Sequence, residues 1–220
     1  MKKISKLGII ASISVLSFVA HICASDHPAP GVSAEDALKK LTEGNARFTK
    51  GKVSKGKPTA EKRAETAQAQ HPFAIIVGCA DSRTSPELVF DQNIGDLFVV
   101  RTAGNLVDDH GLGSIEYAVA HLGARLVVVL GHERCGAVKA ALASDTAPGH
   151  VNSLVRDIQP AVKAVKGKEG SAMDLTIAAN SRLIAAKIRA EANLGELEKE
   201  VLVVSAVYDL DDGIVKFANE

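Results

Sequence analysis

The sequence predicts an α/β fold, a mainly parallel β-sheet flanked by helices, and three observations carry that prediction. Four short apolar runs, at residues 73–78, 97–100, 126–130 and 201–207, are continuous rather than alternating, as expected of strands covered on both faces. Segments of helical periodicity separate them, so strand and helix alternate along the chain. Two of the runs stop at a glycine and then present polar side chains, which is how open α/β sheets furnish a site beyond the carboxyl ends of their strands.

Each element has its own justification. The first residues read as a secretory signal: Lys2, Lys3 and Lys6 precede an apolar run over 7–20, with short side chains at Ala24 and Ser25. The run is short for a membrane span, although an uncleaved anchor is the alternative. Cleavage after Ala24 is expected, with export to the periplasm or medium and no stable membrane anchor. Cleavage takes away Cys23 and three of the 26 basic residues, leaving 23 against 26 acidic ones, with Cys79 and Cys135 as the cysteines that remain. Residues 25–33 read as a Pro- and Gly-containing linker, and 34–220 as a single domain. Ser33 is placed to cap the first helix, with Asp36 where the reciprocal partner of a capping box belongs, and Ala37, Leu41 and Phe48 share a face. Residues 51–58 are a Lys- and Gly-rich loop, and 61–70 a short polar helix or turn. Pro86 opens a helical turn after Ser85. Further helices are expected over 112–122, 136–143, 151–165 and 172–194, the last with Leu175, Ala179, Leu183, Ala186 and Ala190 as its apolar stripe. The Asp211-Asp212-Gly213 turn makes a hairpin of the last core strand and 214–217. Charge is balanced and no basic stripe stands out, which argues against nucleic acid as a partner.

The chemistry is concentrated at two strand ends. In 74–83, AIIVGCADSR, Gly78 is followed by Cys79, Asp81 and Arg83 at alternate positions. In 126–136, LVVVLGHERCG, Gly131 is followed by His132 and then Cys135. One imidazole and two thiols are the ligand set of a catalytic zinc that keeps its fourth position open. The H-x-x-C spacing on a turn entering a helix lets His132 and Cys135 chelate one ion, and Cys79 ties the site to a second strand. The plain alternative is a structural disulfide between Cys79 and Cys135, natural in an exported chain. It leaves the polar companions at each strand end without a role. Zinc with two thiolates and a neutral imidazole carries no net formal charge, so its coordinated water should keep a pKa above the value of about 7 typical of catalytic zinc. Asp81 is placed to orient that water, and Arg83 to keep Asp81 ionised and aimed by a bidentate contact. If that pairing failed, Asp81 could itself close the fourth position.

CADSR, the RTAGN stretch at 101–105 and GHERCGAV at 131–138 together resemble the β-class carbonic anhydrases, and the resemblance extends from the helix near Ala37 to the VYDLDDG hairpin. It implies that family's fold, with the N-terminal helix packing on a partner subunit. It also implies a zinc enzyme that hydrates carbon dioxide reversibly to bicarbonate through zinc-bound hydroxide. Cys79, His132 and Cys135 match the zinc ligands, and Asp81 and Arg83 the catalytic dyad. Gln70 matches an amide that donates to substrate. Phe98, Ala103 and Tyr117 match a small apolar substrate pocket that a second subunit completes, so a homodimer or dimer of dimers is implied. A subgroup of the family has a regulatory bicarbonate site using a tryptophan three residues before the first cysteine. That position is Ile76 here, so no bicarbonate-locked state of that form is expected, although Arg101 and Tyr208 match the site's other two members. His110 is close to the site segment in sequence, and no residue is assigned as proton shuttle. Gly104 and Asn105 read as turn and hydrogen-bonding residues. The same scaffold and ligands also serve hydrolases of carbon disulfide or carbonyl sulfide. A non-catalytic binding module, stabilised by a disulfide or zinc, is the alternative from another class.

Overall fold

The computed structural model describes residues 31–54 and 59–218, so the signal reading and Cys23 lie outside the described residues. Its centre is a five-stranded sheet in the order β2-β1-β3-β4-β5. The strands are β1 (Ala74–Cys79), β2 (Leu97–Thr102), β3 (Leu126–His132), β4 (Leu202–Tyr208) and β5 (Val215–Phe217). The first four are parallel, and β5 returns antiparallel to β4 after the expected turn.

The continuous apolar runs are explained by two cores. Strand β1 sends Ile75, Val77 and Cys79 into one and Ala74 and Ile76 into the other, and β3 divides Val127 and Val129 from Leu126, Val128 and Leu130 in the same way. The larger core is closed by α4 (Asp109–Leu122), α5 (Gly136–Ala143), α6 (Val151–Val165) and α7 (Ala172–Glu191), through Ile115, Val138, Ile158 and Ile188. The opposite face is covered by α1 (Ala34–Thr49) and α3 (Pro86–Val89), where Ala37, Leu41 and Val89 are buried beside Phe90. Each large apolar side chain withdrawn from water contributes roughly 1.5–3 kcal/mol. Helix α2 (Ala60–Thr66) buries none of its residues. Among the described residues no helix is long and apolar enough to cross a membrane.

Helices α4 and α7 differ from expectation, each for a physical reason, while α1 lies on the sheet of its own chain. There Asn45 donates to the carbonyls of Val89 (3.1 Å) and Gly213 (2.8 Å) and accepts from the amide of Val215 (2.9 Å). Helix α4 begins at Asp109 rather than 112 because the Asp108 carboxylate accepts from the Gly111 amide at 2.9 Å and caps it. Helix α7 ends at Glu191 and buries Ala179 of the expected stripe, with Leu175 packed beside it, but Leu183, Ala186 and Ala190 are exposed and Ile177, Asn180, Ser181, Ile184 and Ile188 are buried in their place. Close approach decides this. A Cβ on Gly131 of β3 would come within 2.4 Å of Ser181 Oγ, so helix and strand meet at small residues that a hydrophobicity pattern passes over.

The sheet order also locates the site. The chain adds β2 on one side of β1 and β3 on the other, so the winding reverses between β1 and β3. The crevice outside the carboxyl ends of such a pair is where ligands bind in open α/β sheets. Cys79 closes β1, and His132 closes β3.

Candidate metal centre

Cys135 joins those two strand ends from the N-cap position of α5. The turn that brings it there places Arg134 in the left-handed region, φ 51°, a strained choice for a residue with a side chain. A bidentate contact to Asp211, both bonds 2.9 Å, holds it. The ligand atoms of Cys79, His132 and Cys135 all lie within 4.8 Å of one another, and all three residues are buried. Both thiols are free, so no disulfide joins them.

The imidazole shows what the cluster is built for. His132 Nδ1 is 2.8 Å from the Glu133 carbonyl. That oxygen can only accept, so Nδ1 carries the proton and Nε2 presents its lone pair. Nε2 is buried with no hydrogen-bond partner, a costly state for a polar atom that binds nothing. One nitrogen and two sulfurs at this spacing suit tetrahedral zinc. The hydrogen bond with Cys135 holds the Cys79 thiol well below the ordinary thiol range, and the same contact pushes Cys135 up. Coordination of a cation would displace the thiol protons.

Beside the cluster stands a locked carboxylate. Asp81 Oδ1 accepts from Arg83 Nε (2.9 Å) and the Arg83 amide (3.0 Å), and Oδ2 accepts from Arg83 Nη2 (2.7 Å). These bonds, the Arg83 side chain first, hold the Asp81 carboxyl far below the usual carboxylate range. Oδ2 also lies 3.9 Å from His132 Nε2, at the border of the cluster. The turn itself is stapled by Arg101, which donates to the carbonyls of Cys79 (2.8 Å) and Asp81 (2.7 Å). The Thr84 hydroxyl donates to the Asp81 carbonyl at 2.9 Å. Such a site can hold a soft or borderline cation and orient a polar nucleophile on it.

The other expected site residues fall into two groups. Ala103 follows β2 in a single helical turn, Ala103–Asn105, next to Gly104, whose amide donates to Cys79 Sγ at 3.2 Å. Phe98 and Gln70 are offset from the cluster along the sheet within one chain. Phe98 pairs with Ile75, about 13 Å along the sheet from Cys79 at the usual strand rise. Gln70 is exposed before the first residue of β1, and Cys79 ends that strand about 17 Å further on. Tyr117 is 49% exposed on α4, its ring 5.1 Å from that of His121. His110 is also exposed on α4. Ile76 is fully buried, and Tyr208 sets its ring 6.5 Å from that of Phe48. Sequence reasoning missed the Asp211 clamp on Arg134 and the buried Asn180, whose amide donates to the Gly104 carbonyl at 2.9 Å. The available signal for Asn180 was a polar pair, Asn180-Ser181, in the middle of an otherwise favourable helix.

Comparison with known proteins agrees with this geometry. The carbonic anhydrase family model matches residues 74–215. Carbonic anhydrase 2 of Mycobacterium tuberculosis is 49% identical over 137 residues, which cover 60% of this chain and 66% of that protein, just under two thirds of its length. The β-carbonic anhydrase of Coccomyxa, solved in complex with acetazolamide, superposes with a TM-score of 0.63 at 28% identity, over 83% of this chain and 86% of that one. A tetrameric β-carbonic anhydrase of Sordaria macrospora shares the fold, with a TM-score of 0.63 at 24% identity over 71% of this chain and 85% of that one. A match that begins with β1 and runs into β5, on a sheet of this order, places the chain in the β-class carbonic anhydrase family.

Proposed function

We propose that this chain is a zinc enzyme that interconverts carbon dioxide and bicarbonate. The observation that carries the reading is the buried, unpartnered Nε2 of His132 between two free thiols, with an arginine-locked carboxylate at its border. Bound there, zinc would act as a Lewis acid that lowers the pKa of a coordinated water. Cys79, His132 and Cys135 would hold the ion, and the two thiolates would cancel its charge, which would limit that acidification. Asp81 serves as acceptor: the lone pairs that Arg83 leaves on Oδ2 face the cluster and orient the attacking oxygen toward carbon dioxide. Because Arg83 keeps the carboxyl ionised far into acid, Asp81 aims the nucleophile and does not store its proton, which must pass on to buffer. Ala103, small and half-buried next to the Gly104 turn, leaves room for a triatomic substrate.

The remaining residues matched to the pocket, Gln70, Phe98 and Tyr117, are expected to meet a site across an interface with a second copy. The half-buried apolar β2, paired on one side only, supports a homodimer. The assembly of the Sordaria macrospora protein is tetrameric, which supports a dimer of dimers. Export rests on residues 1–24 alone. With Ile76 in place of tryptophan and Arg101 committed to two carbonyls, bicarbonate should act as product and substrate and not as a lock.

Metal analysis combined with stopped-flow carbon dioxide hydration, from about pH 6 to about pH 9, on wild type and Asp81→Asn tests the reading. Stoichiometric zinc is expected, with rates that rise with pH and a loss of about 10–100-fold in the variant with zinc retained. An active metal-free protein, or a fully active Asp81→Asn, overturns it. Hydration at background level in the zinc-loaded wild type would leave a binding module or a hydrolase of sulfur analogues.

A further inference from the structure

Asn180 sits in the middle of α7 and is 2% exposed. Helix propensity and the cost of burying an amide both disfavour it there, so its hydrogen bond deserves an account. The side-chain Nδ2 donates to the Gly104 carbonyl at 2.9 Å, with both groups buried. Gly104 in turn donates its own amide to Cys79 Sγ at 3.2 Å. The backbone there is left-handed, φ 76° and ψ 21° at Gly104, followed by φ 47° at Asn105. Glycine has more freedom than any other residue to leave such a conformation. The Thr102 hydroxyl spans the Ala103–Asn105 turn by donating to the Leu106 carbonyl at 2.6 Å, and the Gly104 peptide within it is held by its neighbours. On one side Ile158 Cδ1 and Ala137 Cβ press within 3.0 and 3.2 Å of where a Cβ on Gly104 would stand. On the other, the Asn180 amide fixes the plane of the Gly104 carbonyl. Both thiols have backbone amides beside them, those of Ala137 and Val138 at Cys135 and those of Gly104 and Asp81 at Cys79, and the Gly104 amide makes the 3.2 Å bond to Cys79 Sγ.

We propose that Asn180 is a positioning residue for the metal centre, aiming the Gly104 amide at the Cys79 sulfur and so setting how strongly that thiolate donates to the ion. The inference rests on the reading of Cys79 as a metal ligand. An amide bonded to a thiolate draws electron density from the sulfur. In a site whose two thiolates already cancel the charge of the ion, that bond returns part of the ion's Lewis acidity. Asn180 touches neither ion nor substrate.

The test uses protein loaded with NMR-active cadmium, in which scalar coupling passes from the metal through sulfur to any hydrogen-bonded amide. Wild type should show correlations from the metal to the Cys79 and Cys135 β-protons and to the Gly104 amide proton. Asn180→Leu, of similar size, and Asn180→Asp, which cannot donate as a carboxylate, should keep the cysteine correlations and lose the Gly104 one. Zinc affinity by chelator competition should fall about 10-fold or more, because loss of orientation of the Cys79 ligand outweighs the stronger donation of an unbonded thiolate, and the sulfur-to-cobalt charge-transfer band of cobalt-loaded protein should shift. Ile188→Val, a conservative change elsewhere on the same helix, should alter none of these. A wild-type spectrum with cysteine correlations and no Gly104 correlation overturns the proposal while leaving the metal centre intact. So does an Asn180→Leu protein with unchanged coupling and affinity. Absent cysteine correlations would remove the metal centre and the proposal together. The wild-type spectrum decides even where a variant does not fold.

Discussion

The carboxyl edge of β1 and β3 and the flank along β2 carry two halves of the expected site, and they are built in opposite ways. At the edge the groups are buried and tied: three ligand atoms within 4.8 Å, Asp81 held by three bonds from Arg83, and the turn stapled by Arg101. Along the flank β2 is only half-buried, and Leu88, Ile94 and Tyr117 are 55%, 42% and 49% exposed. An open depression of about 500 Å³, with Leu88, Ile94 and Leu97 among its lining, runs beside the strand. The contrast teaches that one chain is sufficient to assemble the ligand cluster, whereas the flank leaves apolar side chains exposed. Large exposed apolar groups beside an edge strand are the usual mark of an interaction surface.

The largest effect should come from breaking the edge. Cys135→Ala removes a ligand from a cluster with no substitute donor of its kind, and zinc affinity measured by chelator competition should fall by more than the ~100-fold that loss of a supporting contact can cause. Tight zinc binding in this variant would place the metal elsewhere. An intermediate effect should come from the flank. Ile94→Asp sets a charge in the apolar surface, so sedimentation should show the protein shifting toward monomer and hydration activity should fall on dilution, with zinc content unchanged. Assembly identical to wild type would mean that the flank is covered by something other than a second copy.

The smallest effect concerns pH. The folded-state pKa of Asp81 is depressed, chiefly by Arg83, so its contribution to stability is fully present above the ordinary carboxylate pKa of about 3.9 and is lost only as pH falls through the lowered value. In Arg83→Ala the carboxyl should return toward about 3.9. Carboxyl-carbon NMR checks this: the wild-type Asp81 signal should remain that of an ionised group at about pH 3, and the variant's should already have moved. Equal titration of the two would show that Arg83 does not hold the carboxylate.

Much of this was legible along the chain. The ligands Cys79, His132 and Cys135 and the Asp81–Arg83 pair announce themselves because their chemistry is unusual at strand ends, and the structure brings them together where the runs stop. The α7 stripe was only partly legible: Leu183, Ala186 and Ala190 satisfy a hydrophobic period yet face solvent, while Asn180 and Ser181 face inward. Polar residues chosen for close approach or for one specific bond leave no trace in a pattern that scores only apolarity. Arg134 likewise gives no sign in sequence of its left-handed backbone or of the Asp211 clamp that lies 77 positions away.

By itself, then, the sequence determined which segments become buried strands, which donors stand at their ends and which ion those donors suit. Those properties are local, set by continuous apolar character and by the chemistry of single side chains. Only the tertiary structure decided the tautomer of His132, the partner of Asn180, the face that α7 buries and the distance of Gln70 and Phe98 from the thiols. Each of those depends on how closely two distant pieces of chain approach, and on which carbonyl or amide happens to lie at the point of contact.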